Sequence, residues 1–522
     1  MSTVLAGEAV LTGRGRVGNA IMIRDGVVAG VGAAEELASH PDRMIRYPGG
    51  FIVPGFRDAH IHAIPYAGLL TGCSLHAASS IDDLLNRLAA FANTLPPTAP
   101  VVASRLNDES LAEVRLPTRE DLDRAVPNRP AVIYRYCGHI AVANSTALQA
   151  SGITEMTPDP PGGVIDRGTD GQPTGVLRET ATGLIADALA RGTSLASPGL
   201  LDGLARLGGL GITSIGAMIG YGERPHHKLA AEAELLRGIA GNLPLKVHAI
   251  SIAGSAEDLD LSARVLSGGA PRLRWLGVKC FADGSLGGHT AAMETEYDDT
   301  PSVGTYRLTD LDIDLARHSL AQGGMVAIHA IGDRAIGGVL DAFEELIANG
   351  AKPSDLRMEH VSIASPHLVS RFARTGTIAV VQPSFLASEH GWLGKRLGTS
   401  RLEWAYPFRS MARAGIILAG SSDSIVEPPH PLWGIAAAMD RHGIAPDEAI
   451  SGLEALAMFT DGGAVALREP VPLAVGSPAD IAVIDIDLRT ATAPEIRKAT
   501  VLDTWIDGER LEVDRSLPVW VE

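Results

Sequence analysis

The sequence has little cysteine, few aromatic residues and no excess of basic charge. Only three of its 522 residues are cysteines, and no two form a CxxC pair, which argues against a disulfide framework or a thiolate zinc site. Aromatic residues make up 4% of the chain. The chain has 61 acidic and 44 basic residues, which gives a formal charge of −17. Such a charge disfavours binding to nucleic acid or to an anionic membrane.

Long apolar runs are also absent. No stretch approaches the roughly 20 residues that span a bilayer, and the amino-terminal segment has no uninterrupted apolar core behind a basic start. We therefore expect a cytoplasmic protein with no nucleic-acid or membrane partner. Assembly into a homo-oligomer stays open.

Both ends of the chain carry β patterns. Asp25-Gly26 and Asp507-Gly508 are each flanked by apolar alternation, and Asp-Gly is a strong hairpin signal. Such ends predict one small β-sandwich domain assembled from both termini, over residues 1–52 and 469–522.

The middle of the chain, residues 53–468, alternates short apolar segments with amphipathic ones. Eight such repeats predict a parallel sheet closed into a (β/α)₈ TIM barrel, so the expected fold class is α/β. The eight candidate strands are 51–56, 212–217, 244–250, 276–282, 325–330, 356–361, 377–383 and 415–421. The oversized gap at about 65–200 predicts a mixed α/β insertion after strand 1, at the mouth of the barrel.

A histidine pair follows the first candidate strand. In the extended sequence Asp58-Ala59-His60-Ile61-His62, residues two apart point to the same side, so His60 and His62 could bind one metal ion together. They could equally be hydrogen-bonded polar residues at a strand end. The carboxyl end of a barrel strand, where active sites collect, favours the metal site.

Lys279 lies in the apolar segment LGVKCFA. A buried lysine is costly unless it is neutral or paired, although lysines more often extend to the surface. A neutral lysine can react with CO₂ to form a carbamate, whose two oxygens can bridge two cations.

Three further polar residues end predicted strands. His329, His360 and Asp423 end, or directly follow, the fifth, sixth and eighth candidate strands. Taken singly, the histidines could be core residues and the aspartate a turn residue. Together with His60, His62 and Lys279 they would meet at one rim of the barrel, which indicates a metal centre.

The chain closely resembles the amidohydrolase superfamily, within it the family 3 branch that includes N-substituted formamide deformylases. The stretches that carry the resemblance cover nearly the whole chain: PGFRDAHIH, GHIAVANSTAL, DPPGGVIDRGTDGQPTGVLRE, GVKCFADGSLGGHTAA, IHAIGDRA, RMEHVS, SSDSIVEPPHPL and VGSPADIAVID. The resemblance implies a metal-dependent barrel with a two-part β-sandwich.

The same resemblance implies roles for the rim residues. His60, His62 and Asp423 would bind the more buried ion, and Lys279, carboxylated by CO₂, would bridge to a second. His329 and His360 would bind that second ion, and two divalent cations, zinc being the best match to such ligands, would share a hydroxide.

The reaction that the resemblance implies is hydrolysis of a C–N amide bond in a small-molecule substrate, an N-formyl or N-acyl amine, with Asp423 as the catalytic proton carrier. Ester, lactone or cyclic-amide hydrolysis at the same binuclear site is an open alternative. A non-catalytic barrel scaffold is another.

Other polar residues are candidates for supporting roles. His139 and His289 lie within the matching stretches and are candidate substrate-binding residues, with a loop-ordering hydrogen bond as the alternative. Asp58, Asp333 and Glu359 are candidates for orienting the metal-binding imidazoles.

The chain departs from its branch in places where aromatic residues are common. It has Ser424 after the aspartate of strand eight, Val142-Ala143 where tryptophan is usual, and Arg105-Leu106-Asn107-Asp108 where the branch often carries Gly-Trp-Asp. We therefore predict a substrate pocket less aromatic than is usual in the branch.

Overall fold

The computed structural model describes residues 2–37, 42–136, 140–160, 163–185, 197–224, 227–228, 232–515 and 519–520. In the described part of the chain the strands are β1 Ser2–Thr12, β2 Gly15–Arg24, β3 Val27–Gly32, β4 Arg43–Arg46, β5 Phe51–Pro54, β6 Phe56–Ile61, β7 Cys73–Ser74, β8 Val101–Leu106, β9 Ala131–Arg135, β10 Ile140–Ala143, β11 Gly163–Arg167, β12 Pro173–Glu179, β13 Ile212–Tyr221, β14 Glu223–Arg224, β15 His227–Lys228, β16 Lys246–Ala253, β17 Leu273–Phe281, β18 Met325–Ala330, β19 Leu356–His360, β20 Ile378–Val381, β21 Ile417–Gly420, β22 Ile481–Ile484, β23 Val501–Ile506 and β24 Glu509–Arg510.

The α-helices of the same residues lie between and after these strands. They are Ala34–Leu37, Ala63–Thr71, Ile81–Ala92, Arg119–Ala125, Ser145–Ala150, Ser197–Gly209, Glu232–Ile239, Ala256–Leu266, Asp310–Ala321, Asp333–Ala348, Pro366–Thr375, Phe385–Glu389, Leu393–Leu402, Phe408–Arg413, Pro431–Asp440, Gly452–Ala457, Gly463–Ala466 and Ala493–Lys498. Across the described ranges, none of them is long and apolar enough to cross a membrane.

One eight-stranded sheet is built from both ends of the chain. Its order is β24-β23-β22-β5-β1-β2-β3, with β4 beside β1. Asp25-Gly26 forms the turn between β2 and β3 and Asp507-Gly508 the turn between β23 and β24, and all four residues have positive φ. Glycine adopts this conformation without steric cost, which explains why both Asp-Gly pairs form tight hairpins.

A second eight-stranded sheet is the barrel, with all its strands parallel in the order β21-β20-β19-β18-β17-β16-β13-β6. Every residue of β18 and β19 is buried, as expected where helices cover the outside of a parallel sheet. The predicted α/β class and TIM-barrel fold are confirmed.

The first barrel strand differs from the predicted one. Phe51–Pro54 pairs with β1 and β22 in the terminal sheet, and the barrel begins only at Phe56. Gly55 separates the two strands, and a side chain there would lie within 2.5 Å of Thr213 Oγ1. The apolar run FIVPGF therefore serves two sheets in succession, and His60 lies inside the first barrel strand instead of after it.

A third sheet lies between the first two barrel strands in sequence. Its six strands have the order β11-β12-β10-β9-β8-β7, and its own apolar cluster includes Leu84, Leu88 and Ile133. The segment predicted as an insertion is thus a mixed α/β layer with a separate core.

The barrel closes at its carboxyl rim through the loop that follows β21. The backbone N–H of Asp423 donates to the His60 carbonyl at 2.9 Å, and that of His62 donates to the Ser424 carbonyl at 2.7 Å. These bonds join the eighth strand to the first.

Close approach of β17 and β18 gives a test of the barrel. A Cβ at Gly277 would lie 2.1 Å from the Met325 carbonyl oxygen of the paired strand. We predict that Gly277→Ala lowers the free energy of unfolding by about 1–3 kcal/mol, measured by guanidinium denaturation. Gly238→Ala, at a helical site with open space, is the control, and equal stability of the two variants would contradict the packing described.

Candidate active site

The histidine pair and the strand-eight aspartate meet at the rim. His60 Nε2 lies 3.4 Å and His62 Nε2 3.3 Å from Asp423 Oδ1, and the centroids of the two imidazole rings are 5.8 Å apart. Asp423 Oδ1 is buried and has no hydrogen-bond partner among the described residues. Three potential ligand atoms therefore face one another without a direct hydrogen bond between them.

His329 and His360 lie beside this group, on neighbouring strands. Their ring centroids are 4.3 Å apart, and that of His360 is 5.2 Å from that of His60. One ligand atom each from His60, His360 and Asp423 lie within 4.8 Å of one another. The five residues placed at the rim by sequence, all but Lys279, thus form one continuous cluster.

Lys279 is buried on β17, with Nζ 4.6 Å from the Phe281 ring centroid. Burial lowers its pKa to about 8, against the opposing effect of the Glu359 and Asp423 charges. Its charge also acts on His60 and His360, which places the amine within electrostatic range of the cluster. Cys280, the next residue, faces the other way, where Sγ contacts the Asp312 carbonyl at 3.5 Å.

The electrostatics of the cluster favour neutral imidazoles and an ionised carboxylate. Burial, followed by the Lys279 charge for His60 and by the His329 charge for His360, holds the pKa of both histidines well below the usual range. Burial alone would raise the pKa of Asp423, but the surrounding His60, His62 and Lys279 lower it below its ordinary value. Neutral imidazole and carboxylate are the forms that bind metal ions.

Three of the histidines have one ring nitrogen bound to the protein. His60 Nδ1 lies 2.6 Å from Glu359 Oε2, and His360 Nδ1 lies 2.8 Å from Gln382 Oε1. In His329 the bound nitrogen is Nε2, 2.9 Å from the Gly284 carbonyl.

Such outer contacts fix the tautomer and orientation of metal-binding histidines. They leave Nε2 of His60, Nε2 of His360 and Nδ1 of His329 as the nitrogens that could bind an ion.

Glu359 is itself held by a buried arginine. Arg357 Nε donates to Glu359 Oε1 at 2.6 Å and its Nη2 to Oε2 at 2.9 Å, and neither side chain is exposed. Arg357 Nη2 also donates to the Ala59 carbonyl at 2.7 Å. This bidentate pair ties the sixth barrel strand to the first and fixes the carboxylate that orients His60.

Asp58 and Asp333, the other two candidates for orienting imidazoles, have different contacts. Asp58 accepts hydrogen bonds from the backbone N–H and hydroxyl of Ser422, at 3.0 and 2.5 Å, and so holds the loop before Asp423. Asp333 accepts from the Glu294 backbone N–H at 2.8 Å, in a neighbouring loop. Neither carboxylate bonds to an imidazole of the cluster.

Two cluster residues have unusual backbone conformations. His360 has φ 75° and Asp423 has φ 54°, a region in which residues other than glycine are strained. His360 is the last residue of β19, and Asp423 lies in the loop that follows β21.

Two supporting residues were not predicted. Gln382 follows β20, accepts from His360 and donates to Ser421 Oγ at 2.9 Å. Asp283 follows β17, lies 3.2 Å from His329 Nε2 and accepts the backbone N–H groups of Ile331 and Gly332. The sequence carried a signal for both, because Asp283 directly follows the predicted strand 276–282 and Gln382 is a polar residue near the end of the predicted strand 377–383.

Of the two histidines predicted to bind substrate, the structure describes one. His289 Nε2 lies 3.0 Å from Asp299 Oδ1, and its ring meets Tyr297 edge-on at 5.1 Å. These contacts match the loop-ordering alternative, and its contact with substrate stays a prediction. His139 lies outside the described residues.

Aromatic side chains do border the cluster. The Phe385 ring stacks on His360 with centroids 6.2 Å apart, and Phe281 lies 5.8 Å from His329. Ser424, where the branch often has an aromatic residue, is fully buried. That the pocket is less aromatic than is usual in the branch stays a prediction.

The donor set fits a divalent cation. One observation is that Oδ1 of Asp423 lies without a hydrogen-bond partner between two imidazole nitrogens. The other is that His60, His329 and His360 each have one ring nitrogen bound to an acceptor, which leaves the other free for an ion. Imidazole and carboxylate are ordinary ligands of zinc and of similar metals.

Comparison with known proteins identifies the family. Residues 48–511 match the model of the amidohydrolase family. The chain belongs to the amidohydrolase family. This amidohydrolase is 30% identical to an N-substituted formamide deformylase of Arthrobacter pascens, over 95% of each chain.

Two solved structures also resemble this amidohydrolase. A metal-dependent hydrolase of Pyrococcus furiosus is 28% identical, with a TM-score of 0.74, over 94% of this chain and 100% of that one. Another from Pyrococcus horikoshii OT3 is 25% identical, with a TM-score of 0.77, over 95% and 99%. The predicted family is confirmed, as is the enzyme class, a metal-dependent hydrolase acting on carbon–nitrogen bonds.

The Arg357–Glu359 pair gives a test of the site. We predict that Glu359→Gln lowers the free energy of unfolding by about 3–5 kcal/mol, because it leaves the Arg357 charge buried without its counter-ion. Metal affinity should fall about 10–100-fold, since His60 loses its carboxylate partner. Denaturation and metal titration measure the two effects.

Glu345→Gln is the matched control, because Glu345 pairs with Arg317 on the surface. We expect this substitution to change stability by less than about 1 kcal/mol. Equal effects of the two glutamine variants would contradict the role given to Glu359.

Proposed function

We propose that this amidohydrolase hydrolyses the amide C–N bond of a small N-formyl or N-acyl amine at a binuclear zinc centre. The observation that carries the proposal is the convergence of His60, His62, His329, His360 and Asp423 at one rim of the barrel, beside buried Lys279. The named activity of the Arthrobacter pascens relative supports the substrate type.

The ligand sets are those that the family resemblance implies, and the short distances from His60 and His62 to Asp423 and between His329 and His360 support them. His60, His62 and Asp423 would hold one ion, and His329 and His360 the other. A divalent cation bound there supplies Lewis acidity and lowers the pKa of water towards neutrality. The barrel residues supply orientation, through Glu359, Gln382 and the Gly284 carbonyl.

Lys279 would join the two ligand sets as a carbamate. Its pKa of about 8 leaves part of the amine neutral at neutral pH. The neutral nitrogen would attack the carbon of CO₂ and release a proton to water, which converts the neutral amine into a carbamate anion. The two cations would pair with the carbamate anion, which would offset the cost of burying its charge.

Asp423 would carry the proton of the reaction. Its Oδ1 has no hydrogen-bond partner, and its pKa is held low, so the carboxylate is ionised at neutral pH. With Oδ1 bound to the ion, the other oxygen of the carboxylate would accept the proton released by the attacking water and deliver it to the departing nitrogen. The amine then leaves as a neutral product.

The activity is tested on a panel of N-formyl, N-acetyl and N-carbamoyl amines, with metal analysis of the same preparation. We expect hydrolysis that is abolished by a chelator and restored by Zn²⁺. Asp423→Asn should lower kcat by at least about 10²-fold, whereas Asp314→Asn, at an exposed pair with Arg317, should leave it unchanged. Full activity after metal removal would exclude the proposal.

The carbamate is tested separately. We expect a carbamate ¹³C NMR signal from protein prepared with ¹³C-bicarbonate, and its loss in Lys279→Ala together with metal binding and activity. Short carboxylic acids should partly restore activity by occupying the vacated space. Lys395→Ala, at an exposed lysine, is the control, and a Lys279→Ala enzyme with full metal and activity would refute the bridge.

A further inference from the structure

The segment that follows β17 contacts His329, one of the proposed ligands of the second ion. The Gly284 carbonyl lies 2.9 Å from His329 Nε2, closer than the Asp283 carboxylate at 3.2 Å. Nε2 therefore donates its proton to this carbonyl, and Nδ1 is the nitrogen that can bind an ion. The position of the Gly284 carbonyl thus determines where Nδ1 of His329 points.

Thr290 packs directly against Gly284. The Gly284 N–H donates to the Thr290 carbonyl at 3.2 Å, and a Cβ at Gly284 would lie 2.2 Å from Thr290 Oγ1. The next backbone N–H, that of Ser285, donates to Thr290 Oγ1 at 2.9 Å. Thr290 therefore binds the backbone on both sides of the Gly284 carbonyl.

The peptide group between Gly284 and Ser285 is held from two sides. It is a trans peptide, in which the C=O and N–H bonds point in opposite directions. One end faces His329 through the carbonyl, and the other faces Thr290 through the N–H. A rotation of this peptide would break both bonds, so the Thr290 hydroxyl fixes the carbonyl that orients His329.

Glu179, the last residue of β12 in the third sheet, sets the direction of the Thr290 hydroxyl. Thr290 Oγ1 lies 3.1 Å from Glu179 Oε1 and 3.4 Å from the Ser285 carbonyl. That carbonyl already accepts the backbone N–H groups of Thr290 and Ala291, both at 3.0 Å. The hydroxyl proton therefore goes to the carboxylate, the closer and charged acceptor, which leaves the oxygen lone pairs for the Ser285 N–H.

Arg307 holds the other oxygen of this carboxylate. Arg307 Nη2 donates to Glu179 Oε2 at 3.3 Å, and the Arg307 backbone N–H donates to the Ala282 carbonyl at 2.6 Å, two residues before Gly284. The Glu179 side chain is only 12% exposed, so solvent competes little for its two oxygens. Glu179 thus connects the third sheet to the barrel segment that orients His329.

We propose that Glu179 is a positioning residue for the second metal ion. Through Thr290 it holds the peptide whose carbonyl orients His329, and the inference rests on the proposed function because it takes His329 as a ligand of that ion. A carboxylate accepts from Thr290 and Arg307 at once, whereas a glutamine amide presents one oxygen and one NH₂ group. Glu179→Gln should therefore loosen this peptide while the ligand set of the first ion keeps its contacts.

The test is calorimetric titration of the metal-free enzyme with buffered Zn²⁺ in the presence of bicarbonate, which resolves the binding of the two ions. We expect Glu179→Gln to weaken binding of the second ion about tenfold, the lower end of the range for outer contacts of metal ligands, and to leave the affinity for the first ion unchanged. Thr290→Val, which removes the hydroxyl, should have the same effect, whereas Thr290→Ser, which keeps it, should retain binding of the second ion.

A double variant tests whether the two residues act along one path. Glu179→Gln combined with Thr290→Val should weaken binding of the second ion no more than either substitution alone, because both break the same chain of contacts. A double variant whose loss is the product of the two single losses would show that the residues act separately, and would overturn the proposal.

A residue that only anchored the third sheet would behave differently. Its loss would weaken both ions equally through the stability of the fold. Asp166→Asn is the matched control, because Asp166 pairs at 2.7 Å with Arg178, the neighbour of Glu179 on β12, and it should leave both affinities unchanged. Fewer than two ions in the wild type would contradict the binuclear centre itself. Two ions in the wild type, with equal losses at both or no loss at the second in Glu179→Gln, would overturn this inference alone.

Discussion

The bond from the Asp423 backbone N–H to the His60 carbonyl, 2.9 Å long, joins the last barrel strand to the first. It closes the barrel at the carboxyl rim and brings the Asp423 carboxylate between the imidazoles of His60 and His62. Asp58 supports the same junction by binding Ser422. Barrel closure and assembly of the ligand set are therefore one structural event, because the same loop performs both.

Around this junction the barrel buries charges that would be costly alone. Arg357 and Glu359 neutralise each other in a bidentate pair, and Glu359 also fixes His60. Within the described part of the chain, Lys279 has no such pair, and burial lowers the pKa of its amine. Among the described residues, the Lys279 amine has no ion pair and the Asp423 Oδ1 atom has no hydrogen-bond partner, and the proposed metal centre would provide a partner for both.

Much of this arrangement could be predicted from sequence. The repeated strand pattern predicts the barrel, and polar residues that end apolar strands, such as His329 and His360, indicate the rim. The start of the first strand was misplaced because FIVPGF is continuous in apolarity while Gly55 divides it between two sheets. The contacts of Gln382, Arg357 and Asp283 depend on distances between strands, which local sequence patterns do not encode. The positive φ angles of His360 and Asp423 depend on tertiary packing, which such patterns do not encode either.

The central claim is that the rim residues hold divalent metal ions. Anomalous X-ray scattering at the zinc edge, from crystals grown with Zn²⁺ and bicarbonate, measures this most directly. We predict one peak about 2.0–2.2 Å from His60 Nε2, His62 and Asp423 Oδ1, and a second at His329 Nδ1 and His360 Nε2. Fully loaded crystals with no peak at the rim, or with zinc bound only elsewhere, would contradict it.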